Sequence, residues 1–261
     1  NEYPAERPFI LMRAGYSGSQ QFGMVPWSGD VSRTWGGLKP QIEISLQMGL
    51  QGMAYMHSDL GGFAGANKDP ELYVRWLQYG VFQPIFRPHA QQEEPSEAIF
   101  KDAKTKALAK AAIELRYQML PYNYSIAYEN HLAGTPLLRP IFMEFPTAKW
   151  SFSETATYMW GPSFLVHAIT DSMSSSKEKV YKTNLPADAS WFDFHTGRLV
   201  VKSKVNMTNN GNYNVVSTTK TLDHSPIFVR SGSFIPMSPI IQSTEQYRDT
   251  AAILHFYIDP N

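Results

Sequence analysis

Residues 69–90 read "DPELYVRWLQYGVFQPIFRPHA", and this stretch decides the fold class. Asp69 is a favoured N-cap type, and Pro70 suits the first helical position, where its missing N–H costs nothing. The pattern predicts a helix over 69–82. It runs straight into an apolar segment, 83–90, that reads as a strand with a polar end at His89. Working backwards, "LQGMAYMHSD" (50–59) reads as another strand closed by a polar tip. Residues 37–49 place Leu38, Ile42, Leu46 and Gly49 at helical spacing. "MVPW" (24–27) reads as a strand, and Phe9–Met12, between Pro8 and Ala14–Gly15, as a buried one. Working forwards, a long helix is predicted over about 97–132, broken or kinked at Pro121.

Strand and helix alternate, and polar residues collect just after each strand. That is the signature of a parallel α/β fold. In a (β/α)8 TIM barrel the functional groups sit at the C-terminal ends of the strands. Arg13, Asp30, Asp59 and His89 occupy such ends in turn, but these strands make only half of a barrel. After about residue 136 helical periodicity stops. Runs such as "TATYMWGPSFLVHAI" (155–169), "SWFDFHTGRLV" (190–200) and "SPIFVRSGSFIPM" (225–237) alternate with Pro, Gly and Asn, which predicts an antiparallel β-sandwich. "MTNNGNYN" (207–214) reads as a turn or hairpin tip, and 171–179 as a polar loop. The expected organisation is a half-barrel over 1–135, a sandwich over 136–240, and the start of a further β segment over 241–261.

Lys plus Arg equals Asp plus Glu, so no basic face is implied, and neither nucleic acid nor anionic lipid is expected as the main partner. The absence of cysteine removes disulfides, thiolate metal sites and a cysteine nucleophile. No apolar run approaches the length of a membrane span. The N-terminus has neither an initiating Met nor a basic leader region, and reads as a segment cut from a longer protein. Aromatic residues are 13% of the chain. They suit a large core, or a ligand such as a sugar whose C–H surface packs on rings.

Four motifs, "WSGDVSRTWGGL" (27–38), "GMAYMHSDLGGFAG" (52–65), "LYVRWLQYGVFQPIFRPHA" (72–90) and "SPIFVRSGSFIPM" (225–237), together resemble glycoside hydrolase family 31. The match runs from about residue 8 to about 240 in the family's order. "PWSGDVSR" and "YMHSDLGGF" look closer to bacterial α-glucosidases and α-1,4-glucosyltransferases than to animal digestive members. The resemblance implies the second half of a (β/α)8 barrel followed by a proximal β-sandwich. It also implies a retaining, exo-acting α-glycosidase, most simply an α-glucosidase, working on an α-linked oligosaccharide. An α-glucosyltransferase and an α-xylosidase are alternatives within the family; a carbohydrate-binding protein without chemistry is the alternative outside it. Nothing calls for a cofactor or a metal. The residues do not set the compartment; a periplasmic or secreted bacterial location is favoured.

By this resemblance Asp30 is the general acid/base. The nucleophile would be an Asp in a W-x-D-M-N-E-like motif on the fourth barrel strand. That motif is absent, and no Asp precedes Asp30. The partner carboxylate, and the N-terminal half of the same polypeptide, are therefore expected upstream, and this chain alone is expected to be inactive. Trp27 would wall the pocket and desolvate Asp30. Arg13 would sit beside the reacting sugar, and Asp59 would bind a hydroxyl or orient Arg13. Phe63 would form an apolar wall, and His89 would bind sugar hydroxyls.

Each residue also has a bland reading. Asp30 suits a helix N-cap, Arg13 an ion pair, Asp59 a loop turn or cap, and His89 a satisfied structural histidine. His57 and Asp59 would point the same way on a strand, but no third metal ligand is evident. Arg75 and Trp76 read as packing or ion-pair residues supporting the barrel, and Trp160, Trp191 and Phe194 as packing residues, with a carbohydrate-binding surface on the sandwich as the alternative for the last three. Trp35 also reads as packing.

Overall fold

The structure is a computed structural model that describes residues 8–92, 94–203 and 212–259. The predicted helix forms as α2, Pro70–Val81. The Asp69 carboxylate accepts from the backbone N–H groups of Glu71 and Leu72 at 2.9 and 3.2 Å. Nine of its residues are buried, on both sides of the helix. A helix buried all round sits between two layers, and both are visible here. Trp76 Nε1 donates to Ser58 Oγ (3.0 Å) on the barrel side, while Arg75 donates to the carbonyls of Thr221 and His224 on the other. Arg75 and Trp76 are thus packing residues, as expected.

The parallel arc starts with β1 (Ile10–Met12) and β2 (Met24–Pro26), paired Ile10 to Met24. It continues through parallel bridges Trp27–His57 and Leu60–Pro88. Four extended segments therefore lie side by side in chain order. Two predictions need correcting. The segments 50–59 and 83–90 are not regular strands. The helix after β2, α1 (Trp35–Leu50), overruns the start of the first. Pro84 and Pro88 lack the N–H donors that a ladder requires in the second. Nor is β1 buried: all three residues are exposed, because β2 covers one flank and nothing among the described residues covers the other.

The long helix breaks where expected. It becomes α3 (Ala103–Gln118) and α4 (Leu120–Ala133), with Met119 ending one and opening the other. Pro121 falls in the first turn of α4, the place in a helix that tolerates it.

The β-rich part centres on an antiparallel sheet. Its order is β3 (Leu138–Arg139), β4 (Thr157–Trp160), β5 (Phe164–His167), β10 (Ile227–Arg230), β7 (Trp191–Asp193) and β8 (Leu199–Val201). Successive side chains along a strand point to opposite faces, so the apolar runs of its central strands divide between two cores. Tyr158, Trp160, Phe164, Val166, Ile227 and Val229 share one core with Leu77, Phe82, Tyr122 and Ile126 of the helices. The intervening Met159, Leu165 and Phe228 share another with Leu185 and Trp191. Leu185 lies on β6 (Val180–Pro186), which pairs with β9 (Tyr213–Thr219) as the facing layer. Trp160 and Trp191 are fully buried and Phe194 packs against the helix-side core, so core packing accounts for all three. The final pair, β11 (Ser233–Met237) with β12 (Ile253–Tyr257), forms a separate two-stranded sheet. Most of the predicted tip at 207–214 lies outside the described residues.

Candidate active site

The tips of the four extended segments converge. Arg13 follows β1 and Asp30 follows β2, and Arg13 Nη1 stands 3.8 Å from Asp30 Oδ2, with both side chains more than half exposed. Between them Gly29 has φ +79°, and a Cβ there would lie 2.5 Å from Arg13 Nη2. A left-handed backbone disfavours any side chain, and the guanidinium occupies the space one would take. The W-S-G-D spacing therefore has a physical reason: the glycine lets Arg13 lie against the turn that carries Asp30. Trp27, one residue past β2, has the Arg13 guanidinium 6.0 Å and the Arg87 guanidinium 5.9 Å from its ring centre.

Asp59 is fully buried and ion-paired with Arg87, not with Arg13. This corrects the expectation that Asp59 orients Arg13; the nearest carboxylate to Arg13 is Asp30. Burial pushes the Asp59 carboxyl above its ordinary value, and Arg87 and then His89 act against that rise. Arg87 Nε also donates to His57 Nε2 at 3.1 Å. His57 is held down to about 4, first by burial and then by Arg87, so near neutral pH it is uncharged and offers Nε2 as an acceptor. His57 and Asp59 do face the same way, but they meet an arginine. Among the described residues no group of three His, Cys, Asp or Glu is placed to hold a metal ion. Phe63 and His89 lie ring to ring, with centroids 5.3 Å apart.

Two further readings change. Asp30 does not cap α1. Thr34 does, its side chain accepting from Gly37 N at 3.0 Å. The Asp30 side chain is 53% exposed, so Trp27 does not bury it in this chain. Trp35 donates from Nε1 to Asp69 Oδ2 at 3.0 Å, a structural role. A cavity of about 340 Å³, lined by Arg33, Tyr73, Glu94 and Lys101 among others, lies behind the 61–62 turn and includes none of Arg13, Asp30 or His89. Its acids are already satisfied, since Glu94 is paired with Lys101 (2.6 Å) and Lys68 (3.6 Å), while Asp69 and Asp102 accept from the first backbone N–H groups of α2 and α3. The sequence reading missed Arg87 and Arg33. Arg87 was visible in "FRPH" as a cation two residues before the tip histidine. Arg33 donates to the carbonyls of Gly62, Phe63 and Glu94, and so holds the loop that carries Phe63.

Comparison with known proteins places this geometry. Residues 1–126 match the family described as the glycosyl hydrolases family 31 TIM-barrel domain, and residues 134–235 the glycosyl hydrolase family 31 C-terminal domain. A probable glucan 1,3-alpha-glucosidase of Oryza sativa subsp. japonica is 35% identical over 88% of this chain and 24% of its own length. Neutral alpha-glucosidase C of Homo sapiens is 36% identical over 90% of this chain and 24% of its own length. The chain thus spans about a quarter of the length of such curated relatives. Among solved structures, a family 31 dextranase of Flavobacterium johnsoniae complexed with glucose superposes with a TM-score of 0.84 at 28% identity. That match covers 99% of this chain and 31% of the dextranase. An α-xylosidase of Xanthomonas citri gives 0.82 at 29% identity, over 97% of this chain and 27% of its own.

These plant and human relatives give no support to a bacterial periplasmic or secreted origin. No helix among the described residues is long and apolar enough to cross a membrane. Both parts of the chain match in sequence and in fold, and the chain belongs to glycosyl hydrolase family 31.

Proposed function

We propose that the protein carrying this chain is a retaining, exo-acting α-glycoside hydrolase, most simply an α-glucosidase, with Asp30 as general acid/base. The observation that carries the proposal is the pairing of Asp30 with Arg13 over Trp27 at neighbouring strand tips. The names of the relatives, α-glucosidases among them, agree with it.

In a retaining glycosidase two carboxyl groups about 5–5.5 Å apart flank the scissile bond. The nucleophile attacks the anomeric carbon while the acid protonates the departing oxygen. The same residue, now a base, takes a proton from the water that displaces the enzyme carboxylate. Asp30 suits this alternation, since its half-exposed carboxylate is reachable from solvent. Asp59 does not suit the nucleophile role, because it is buried and committed to Arg87. The nucleophile and the N-terminal half of the barrel are therefore assigned to the rest of the polypeptide, and the chain alone is not expected to turn over substrate. Arg13, Trp27, Asp59, Phe63 and His89 are proposed to form the sugar-side wall. The organisation proposed from sequence, with the barrel part over 1–135, the sandwich over 136–240 and a further β segment from 241, stands with this reading. α-Xylosidase activity is a second reading, favoured by the α-xylosidase likeness.

The test uses the full-length protein on maltooligosaccharides and on p-nitrophenyl α-glucoside and α-xyloside. Release of glucose as the α-anomer supports the proposal; lengthened chains would assign a transferase instead. Asp30→Asn is expected to slow hydrolysis of substrates with poor leaving groups by roughly 10²–10⁴-fold. A loss of less than about tenfold removes Asp30 from this role.

A further inference from the structure

Arg87 has no part in the chemistry described so far, yet it contacts two of the residues assigned to the site, Asp59 and Trp27, and His57 beside them. It lies on the fourth extended segment, one residue before Pro88, which pairs with Leu60. A residue before proline is confined to extended backbone, so Pro88 fixes the direction in which Arg87 leaves the chain. From there the side chain crosses the tip of the third segment and reaches the second. Nε donates to His57 Nε2 at 3.1 Å, Nη2 pairs with Asp59 Oδ1, and Cζ lies 5.9 Å from the centre of the Trp27 ring. Only a planar fork of fixed donors with a stackable face makes three such contacts at once.

The contacts continue towards the acid. His57 N donates to Pro26 O at 3.1 Å, and Ser28 N donates to His57 O at 3.0 Å, so the 26–28 backbone is bonded to His57. Trp27 has Arg13 at its ring as well as Arg87, and Arg13 lies against Gly29 and 3.8 Å from Asp30. A displacement of Arg87 is therefore passed on by His57 and by Trp27 to the turn that carries Asp30. We propose that Arg87 is a positioning residue of this site: it fixes His57, Asp59 and Trp27 relative to one another, and through them the aim of the Asp30 turn. The inference rests on the glycosidase reading above.

The rival is a buried ion pair that only adds stability, and buried pairs are weak evidence even for that. The two differ in what the loss of Arg87 does to Asp59. The groups that bear on this buried carboxyl are Arg87, His89 and Asp30, with His57 on the same segment. Asp59 Oδ2 is buried with no hydrogen-bond partner among the described residues. Without Arg87 the carboxyl loses its main counter-charge, and burial then favours the protonated form at higher pH.

The test compares the full-length protein with Arg87→Met, Arg87→Lys, Asp59→Asn and the Arg87→Met/Asp59→Asn double variant, each checked for folding by circular dichroism. Arg87→Met is expected to lose roughly 10²-fold in kcat, with a smaller change in KM. It should gain an ionisation in its pH profile that the double variant lacks, and Arg87→Lys should recover part of kcat. A folded Arg87→Met with kcat within about threefold of the parent, or with an unchanged pH profile, overturns the proposal. A parent that turns over no α-glycoside sinks the glycosidase reading by itself. The Asp59 titration is then read from urea unfolding against pH in the same variants. A curve for Arg87→Met that does not depend on Asp59 overturns the role given to Arg87.

Discussion

Replacing Gly29 with alanine separates backbone strain from damage to the site. Gly29 holds φ +79°, and an L-residue in left-handed backbone costs about 1–2 kcal/mol. The added Cβ would also lie 2.5, 2.7 and 2.9 Å from Arg13 Nη2, Nε and Cζ. Those atoms are the end of a half-exposed, flexible side chain, so the guanidinium moves and the backbone stays. That movement breaks the Arg13–Asp30 pair, which is exposed, 3.8 Å long and worth no more than about 1 kcal/mol. The expected loss of stability is therefore about 2 kcal/mol in all, most of it strain. Gly134 supplies the control. It ends α4 at φ +72°, and a Cβ there meets nothing within 4 Å. Gly134→Ala should show the strain alone, about 1–2 kcal/mol, and leave kcat/KM unchanged. Gly29→Ala should lose roughly 10²-fold in kcat/KM, because Arg13 no longer lies against the Asp30 turn. Urea unfolding and steady-state hydrolysis of p-nitrophenyl α-glucoside, both on the full-length protein, read the two effects. Equal activities in the two variants would refute the claim that Arg13 needs the space above Gly29.

Burial also sets an acid limit. His167 and His195 are both held down to about 4 with burial as the leading cause, as His57 is. Each takes up a proton in the unfolded chain near 6.5 but in the folded chain only near 4, so stability is complete above 6.5 and falls as pH drops from there towards 4. The loss approaches roughly 3 kcal/mol for each of His57 and His167 and is smaller for His195, which is exposed and screened by solvent, and His167→Gln should remove one such share from unfolding free energies measured across that window. Arg75→Met should cost roughly 3–5 kcal/mol, because it strips donors from the Thr221 and His224 carbonyls and the Tyr181 hydroxyl. Calorimetry should show the barrel part and the sandwich part beginning to unfold separately; a single unshifted transition would contradict the role given to Arg75.

Local signals made the helices legible. Asp69–Pro70 starts α2, Pro121 divides the long helix, and period-two apolar strands show a sheet buried on both faces. Ladder quality was not legible. Segments 50–59 and 83–90 have strand-like composition, but Pro84 and Pro88 remove donors and α1 consumes the start of the first. The exposure of β1 was not legible either, since an apolar run carries no record of which neighbour covers it.

The site divides along the same line. Residues at the strand tips were found by type and place, because a parallel fold presents its tips on one face. What the tips do to one another was not found. Sequence offered Asp59 either as a sugar-hydroxyl ligand or as the group that orients Arg13, whereas the side chain that reaches Asp59 comes from the fourth segment, and Arg13 turns to Asp30. Pairing across the arc depends on segment order and on how far an arginine stretches over a neighbouring tip. Neither is a property of local spacing. That is also why Arg87, printed two residues before His89, was passed over: its role lies in the three residues it bridges, and these stand at 27, 57 and 59.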